Sequence, residues 1–411
     1  MLPGTMRNLA CFLALVCVGF FLPRQSKATH IFGGEISYQA VAPGVFSATF
    51  VAYYWMSHGI PGSQTVQFAL RSPGCNAGTT FNGTLQSNHG FNVNLTPNKK
   101  CGTAQDSIGR AIYTASFAIP NTQPQCSEWY LSVREPQKSR VANIPALTSD
   151  LYVEAYLNVL TAALGQNSPV FLWPNSLVFN VNEPATYSAM AKQDTLQQDS
   201  IVYALKPAMN EYNTPLTYAP NLSATQPLPT SSGVTLHPLT GQLTFTPNVY
   251  DPAGNNAYTV VVEATTFKKV NGVVRKISAV QRNLPVFITN NPGNSNPEFM
   301  NVTANGQPVQ ANEVVEIQGG NTLRFQFHTA DADASDSLRV ISNPSEHNSM
   351  PAHTVSFLLG QTRPTVTYTF KTRPVSSDQL YFFTVSVFDN ACTVRGITTQ
   401  VFAFVKERDL R

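Results

Sequence analysis

The sequence predicts an all-β protein in which three tandem antiparallel β-sandwich modules follow an N-terminal signal peptide. Helical periodicity is almost absent after residue 28, and short runs rich in β-branched and aromatic residues occupy the chain instead. Turn-forming residues separate these runs, with 29 prolines and 24 glycines among 411 residues. Many short strands with turns between them are typical of antiparallel sandwiches, whose strands bury one face and expose the other.

Residues 1–28 have the layout of a secretory signal peptide. Arg7 supplies a positive charge, and Leu9 to Leu22 form an apolar run. Ser26 and Ala28 then stand where a cleavage site requires small residues. The apolar run is shorter than the roughly 20 residues of a membrane-spanning helix, and no later stretch is apolar enough to cross a bilayer. We therefore expect an exported chain without a transmembrane segment in its mature part.

The charge balance argues against two classes of binding protein. The chain has 26 basic and 23 acidic residues. Three of the basic residues (Arg7, Arg24 and Lys27) and none of the acidic ones lie in the signal segment, so the mature chain has 23 of each sign. A nucleic-acid-binding protein needs a basic surface that replaces the counterions of the phosphates. A polybasic membrane-binding protein needs a similar excess of positive charge. We expect neither function.

Five runs predict strands by their alternation or by their β-branched and aromatic content. In the first run, Phe46, Phe50 and Tyr54 share one face, whereas Tyr53 and Trp55 share the other. The five runs are Phe46 to Trp55, Leu151 to Leu157, Tyr258 to Ala264, Leu380 to Phe388 and Thr398 to Val405.

Two junctions divide the mature chain into three segments. Asn167-Ser168-Pro169 precedes what looks like the opening strand of a new domain, and residues 290–297 (NNPGNSNP) are polar and rich in Asn, Pro and Gly. The predicted segments are 29–166, 167–290 and 291–411, each about the size of one immunoglobulin-like sandwich. The two prolines of the second junction restrict it, so we expect a semi-rigid, end-to-end connection there.

The stretch THIFGGEISYQ (29–39) opens a series of motifs that resembles the exported, modular surface proteins of Bacteroidetes. These proteins open on a His-Ile-x-Gly-Gly-Glu-Ile-x-Tyr stretch, and the further motifs follow in the same order as in that family. The resemblance implies immunoglobulin-like or cadherin-like modules and a gliding-motility-associated or adhesion-like role. The matching stretches are THIFGGEISYQ (29–39), CSEWYLSVREPQKSRVANI (126–144), DSIVYAL (199–205), LHPLTGQLTFTP (236–247) and FTVSVFDNACTVRG (383–396).

From the residues and this resemblance together, we expect a non-catalytic protein that acts in adhesion or structural interaction. Its expected place is the cell surface or the exterior of a Gram-negative bacterium, with the periplasm as the alternative compartment. A surface protein or a polysaccharide is the expected partner. The sequence contains no Gly-x-Ser-x-Gly, no His-Glu-x-x-His and no glycine-rich phosphate loop, so no pattern points to an enzyme.

One acidic turn suggests a metal site. HTADADASDSLRV places Asp331, Asp333 and Asp336 directly after a predicted strand. Clustered carboxylates can converge on calcium, which takes six to eight oxygen ligands. The alternative is a solvated turn in which the aspartates bond to their own backbone. No glutamate follows at the twelfth position, which excludes an EF-hand. Calcium is the one cofactor that the sequence suggests.

Four cysteines remain after the signal segment, and an even number in an exported protein suggests disulfides. Cys75 and Cys101 both lie in turn-rich sequence, and we favour a bond between them. Cys101 with Cys126 is the main alternative, and Cys392 lies far downstream.

Aromatic residues provide an alternative function, that of an array of carbohydrate-binding modules. Tyr53, Trp55, Trp129 and Trp173 could form a flat platform on which a sugar ring stacks, and Tyr53 and Trp55 share one strand face. Aromatic residues on strands more often belong to the core. Trp129, in the Cys-x-x-Trp strand, is expected there.

Overall fold

The computed structural model describes residues 31–55, 64–86, 108–121, 126–136, 138–146, 149–159, 167–172, 176–192, 200–318, 320–342, 352–357, 362–371, 379–391 and 394–407. Within these residues the chain is all β and its sheets are predominantly antiparallel, which confirms the predicted fold class. The signal segment, Cys101, Trp173 and Cys392 lie outside them. No helix in the described part of the chain has the length and apolar character needed to span a bilayer.

Seven strands come from the first predicted segment. They are β1 (Ile31–Ala42), β2 (Val45–Trp55), β3 (Thr65–Ser72), β4 (Ala77–Leu85), β5 (Ile108–Ala118), β6 (Glu128–Glu135) and β7 (Leu151–Asn158).

Eleven strands come from the second segment, and most of them are short. They are β8 (Val170–Phe171), β9 (Val178–Asn180), β10 (Ala185–Ser188), β11 (Ala191–Lys192), β12 (Ser200–Lys206), β13 (Met209–Glu211), β14 (Thr214–Pro215), β15 (Thr235–Leu236), β16 (Gln242–Phe245), β17 (Ala257–Val270) and β18 (Val273–Thr289).

Nine strands come from the third segment. They are β19 (Glu298–Ala304), β20 (Gln307–Pro308), β21 (Val314–Gln318), β22 (Thr322–Ala330), β23 (Arg339–Ser342), β24 (Ala352–Phe357), β25 (Thr365–Lys371), β26 (Gln379–Phe388) and β27 (Ile397–Glu407).

One large sheet joins the first two segments. Its strands follow the order β1-β2-β5-β4-β3-β6-β7-β18-β17-β12. β18 pairs with β7 at Ser278 to Val280 and with β1 at Arg282 and Asn283, so both edge strands of the first segment meet this one strand. The long hairpin of β17 and β18 therefore belongs by sequence to the second segment and by pairing to the sheet of the first.

A single core follows from this pairing. Strand β6 buries Trp129, Leu131 and Val133 at alternating positions, as expected for a strand with one buried face. The same cluster of buried residues continues through Tyr187 and Leu243 of the second segment. The first and second segments thus share one core, while the boundaries predicted at residues 166 and 290 remain predictions.

The third segment is a sandwich of two sheets. One sheet has the order β20-β19-β22-β25-β24 and the other the order β21-β27-β26-β23, with β21 and β27 parallel. Aromatic rings fill the space between them. The ring centroids of Phe325 and Phe402 are 5.5 Å apart, and those of Phe370 and Phe404 are 5.0 Å apart. Such aromatic contacts bury large areas and prefer these spacings.

The disulfide differs from the favoured pairing. Cys75 is bonded to Cys126, with a Cα–Cα distance of 6.0 Å, so the predicted bond between Cys75 and Cys101 is wrong. The reason lies in the sheet, where β3 and β6 are antiparallel neighbours. The end of β3, where Cys75 follows, therefore lies beside the start of β6, which Cys126 precedes.

Candidate metal centre

The three aspartates of the acidic turn lie together in the structure. The turn follows β22, and each of Asp331, Asp333 and Asp336 offers a carboxylate oxygen within 4.8 Å of the other two. All three side chains are half-buried. The sequence prediction therefore identified a group of carboxylates that a single hard cation could reach.

Local hydrogen bonds give this turn its shape. The backbone N–H of Asp333 donates to Oδ1 of Asp331 at 2.9 Å, and that of Asp336 donates to the carbonyl of Asp333 at 3.1 Å. The guanidinium of Arg363 donates to the carbonyl oxygens of Asp331 and Asp333, at 2.9 Å each. The hydrogen bond from the Asp333 N–H to Asp331 Oδ1 is the self-bonded aspartate turn named as the alternative to a metal site. It occupies only one of the two oxygens of Asp331.

The second oxygen of Asp331 distinguishes the cluster from an ordinary turn. Oδ2 is buried and has no hydrogen-bond partner among the described residues. Burial raises the pKa of the Asp331 carboxyl, and the carboxylates of Asp333 and Asp336 raise it further. A buried acceptor without a partner is costly. A bound cation would satisfy this oxygen and neutralise the repulsion between the three carboxylates.

A fourth carboxylate, which the sequence analysis missed, lies beside the turn. Asp389 follows β26, and its Oδ2 accepts hydrogen bonds from Asn294 Nδ2 at 2.9 Å and from the Gly396 N–H at 2.8 Å. Burial is the main cause that raises the pKa of Asp389 to about 6, and the charge of Asp331 adds to it. The Asp-Asn pair that ends the strand FTVSVF is the sequence signal that could have identified it.

The predicted linker is part of this site. The backbone N–H of Ser295 donates to Oδ2 of Asp333 at 2.8 Å. Toward the second segment, the side chain of Asn180 donates to the carbonyls of Asn291 and Asn294 and accepts from the Asn291 N–H, at 2.8–3.2 Å. The linker is therefore fixed on both sides, and the acidic turn is one of its two anchors.

The second and third segments also touch beside the linker. The Thr399 N–H donates to Thr186 Oγ1 at 2.9 Å, and the Val401 N–H donates to Gln242 Oε1 at 3.1 Å. Val401 also packs with buried residues of the second segment in a small apolar cluster. A cleft of about 630 Å³ remains between the segments, and Asp331 is in its wall. The connection is therefore a packed joint and more than a linker, while the predicted end-to-end arrangement stays a prediction.

The proposed sugar platform does not exist as predicted. Tyr53 is fully buried, and its hydroxyl donates to Glu35 Oε2 at 3.2 Å. Trp55 is half-buried and packs on the rings of Phe32 and Phe287, at centroid distances of 5.4 and 4.9 Å. Strand β18 supplies Arg282 and Phe287 over this face of β2, which explains why both faces of β2 are buried near its end. Tyr53 therefore cannot stack on a sugar.

Comparison with known proteins does not identify a family. No family model matches the chain, and no curated protein matches it. Similar solved structures include the human desmocollin-1 ectodomain, with 12% identity over 85% of this chain and 56% of that chain, at a TM-score of 0.19. The sialic-acid-binding region of a Streptococcus sanguinis SK1 adhesin has 10% identity over 59% of this chain and 78% of that chain, at 0.20. The eight N-terminal immunoglobulin domains of Down syndrome cell adhesion molecule have 13% identity over 90% of this chain and 41% of that chain, at 0.18. The chain thus spans about half the length of the desmocollin structure, and TM-scores this low carry no argument about function.

Proposed function

We propose that this chain is an exported, non-catalytic β-sandwich protein that acts in adhesion or structural interaction. The observation that carries the proposal is the joint at residues 291–297. Its side chains and backbone are bonded to both neighbouring segments, so the two segments are held in one orientation. A protein that works by contact area benefits from surfaces that are presented rigidly, because less conformational entropy is lost when a partner binds.

Calcium is the proposed cofactor of this joint. The carboxylates of Asp331, Asp333 and Asp336 would hold the ion. The feature that best fits it is the buried Oδ2 of Asp331, which has no hydrogen-bond partner in the described part of the chain. The ion would supply positive charge that removes the repulsion within the turn. Because Ser295 is bonded to Asp333, an ordered turn would also order the linker.

The proposed location is the surface or the exterior of a Gram-negative bacterium, with a surface protein or a polysaccharide as partner. The predicted signal segment and the Cys75–Cys126 disulfide support export, since disulfides persist in oxidising compartments. The association with gliding rests on the motif resemblance alone. A carbohydrate-binding role would need a surface other than the Tyr53–Trp55 platform.

Cell fractionation of the native host tests this proposal. We expect the chain to lack its first 28 residues, to be degraded by protease added to intact cells, and to co-purify with an envelope protein or polysaccharide after mild cross-linking. A cytoplasmic chain that retains Met1 would contradict export. An exported chain that turns over a substrate, with activity lost when one carboxylate is replaced, would contradict the non-catalytic assignment.

A further inference from the structure

A buried lysine lies between the first segment and the β17–β18 hairpin. Lys138 is 5% exposed, and its Nζ donates to Thr259 Oγ1 at 2.5 Å and to Asn283 Oδ1 at 3.0 Å. Its backbone N–H donates to the carbonyl of Ser149 at 2.9 Å. The lysine therefore has a fixed backbone and a fixed amine, and it is separated from its amide neighbour by 145 residues.

The surroundings of this amine favour its neutral form. A separate apolar cluster that includes Phe32, Val141 and Ile144 packs on this side of the hairpin. No ion pair within the described residues involves Lys138. Burial lowers the pKa of the Lys138 ammonium to about 7, so much of the amine is unprotonated at neutral pH. A desolvated, neutral lysine is an activated nucleophile.

The amide of Asn283 is an immobilised electrophile. Asn283 lies in β18, where it is paired with Gly34 on one side and Val261 on the other. A Cβ at Gly33 would come within 2.2 Å of the backbone carbonyl oxygen of Asn283, which shows how closely β1 approaches the backbone of this residue. Thr259 is equally fixed, because the side chain of Asn143 accepts from its N–H and donates to its carbonyl.

We propose that Lys138 and Asn283 become joined by an isopeptide bond. Lys138 Nζ attacks Cγ of Asn283, the new Nζ–Cγ bond forms, the Cγ–Nδ2 bond breaks, and ammonia leaves. The proton lost by Nζ passes through the hydroxyl of Thr259 to the departing nitrogen. The step uses no oxidant or reductant.

The proximity of the amine and the amide increases the rate of this step. Oδ1 and Cγ belong to one carbonyl group of about 1.2 Å length, so an amine held 3.0 Å from the oxygen needs only a small side-chain rotation to face the carbon. Well-oriented intramolecular reactions reach effective concentrations of about 10⁵–10⁸ M. The bond would also remove a buried amine that has no counter-charge among the described residues, which is a costly group in the unlinked protein.

The bond goes beyond the proposed adhesive function, because it concerns how the chain is locked. It would tie the loop after β6 to β18 covalently, at the place where the first segment meets the hairpin of the second. A pulling force applied to the two segments would then act on a covalent bond instead of on strand pairing alone.

Mass spectrometry of the purified full chain, reduced and alkylated, tests the proposal. We expect the mass of the chain to be lower by one ammonia than the mass calculated for the processed and alkylated sequence. Tryptic digestion is expected to leave the chain uncut after Lys138 and to yield one branched peptide that contains both Lys138 and Asn283. A peptide that ends at an unmodified Lys138, in a protein of full sequence mass, would overturn the proposal. Loss of ammonia without the branched peptide would overturn it as well.

Variants distinguish an isopeptide bond from a hydrogen-bond network that has only a structural role. Lys138→Met is expected to have the full sequence mass. Thr259→Val is expected to slow the appearance of the branched peptide about a hundredfold, the range of a positioned proton-transfer group, whereas Thr259→Ser keeps the hydroxyl and the rate. Equal rates in these two variants would remove Thr259 from the mechanism, and the wild-type digest decides the bond itself even where a variant fails to fold.

Discussion

The guanidinium of Arg282 forms a buried ion pair with the carboxylate of Glu35, and this pair joins β18 to β1. Arg282 is fully buried and also donates to the hydroxyl of Tyr187 at 2.9 Å and to the carbonyl of Leu172 at 2.8 Å. One side chain thus connects three strands and a loop from two predicted segments. Its donors are matched by acceptors, which is the condition under which a buried charge is tolerated.

Replacing Arg282 should therefore destabilise the folded protein strongly. We expect Arg282→Met to lower the free energy of unfolding by about 3–5 kcal/mol, because Glu35 would remain buried without its partner. Urea denaturation measures the loss. The matched control is Arg134→Met, which breaks a 2.7 Å ion pair with Asp150 in which the arginine is 47% exposed. The control should cost less than about 1 kcal/mol. Similar losses in both variants would contradict the assigned role of the buried pair.

A second prediction concerns the close approach of β1 to β18. A Cβ at residue 33 would lie 2.2 Å from the Asn283 carbonyl oxygen, which is a backbone atom that cannot rotate away. We expect Gly33→Ala to destabilise the protein by about 1–3 kcal/mol, the usual cost of overpacking. Gly74→Ala is the control, since no atom of the described ranges lies within 4 Å of its Cβ position. Thermal melts of the two variants should differ clearly, and equal melting temperatures would refute the close contact.

The calcium prediction is tested by removing the ion. At a free calcium concentration of 100 times Kd, binding to the folded state should add about 2.7 kcal/mol of stability. Chelation is then expected to lower the melting temperature of the wild type. The triple variant Asp331→Asn, Asp333→Asn, Asp336→Asn should melt at one temperature with or without calcium. The variant Glu211→Gln, which changes an exposed carboxylate elsewhere, should respond like the wild type. A wild-type melt that chelator leaves unchanged would rule out the site.

The raised pKa of Glu135 predicts how the free energy of unfolding depends on pH. Burial, with a smaller contribution from Asp150, raises the pKa of Glu135 from its ordinary 4.5 to about 7. The folded state therefore holds this proton more tightly than the unfolded state does, and the stabilisation is complete below about pH 4.5 and is lost as the pH rises to about 7. Glu135→Gln cannot lose a proton, so its unfolding free energy relative to the wild type should increase from pH 5 to pH 8. A constant difference across this range, or the same change in the exposed Glu298→Gln control, would contradict the prediction.

Patterns confined to one strand or one turn could be predicted well from the sequence. Trp129 lies in the core, as expected for an aromatic residue on a strand, and the three aspartates of the acidic turn are close in space because they are close in the chain. The predictions that were wrong concern residues whose partners lie far away along the chain. Tyr53 is buried by strand β18, more than 200 residues further along the chain, and Cys75 meets Cys126 because β3 and β6 are neighbours. Strand order of this kind cannot be read from local periodicity.

The position of β18 determines when the first segment can complete its folding during synthesis of the chain. Strands β1 and β7 are synthesised early, yet the strand with which both pair ends at Thr289. Until it arrives, the first segment has two open sheet edges and an unfilled core, and such edges recruit other chains. Contacts as distant as the 247 residues between Glu35 and Arg282 also make folding slow. We therefore expect a version that stops before the β17–β18 hairpin to aggregate instead of folding.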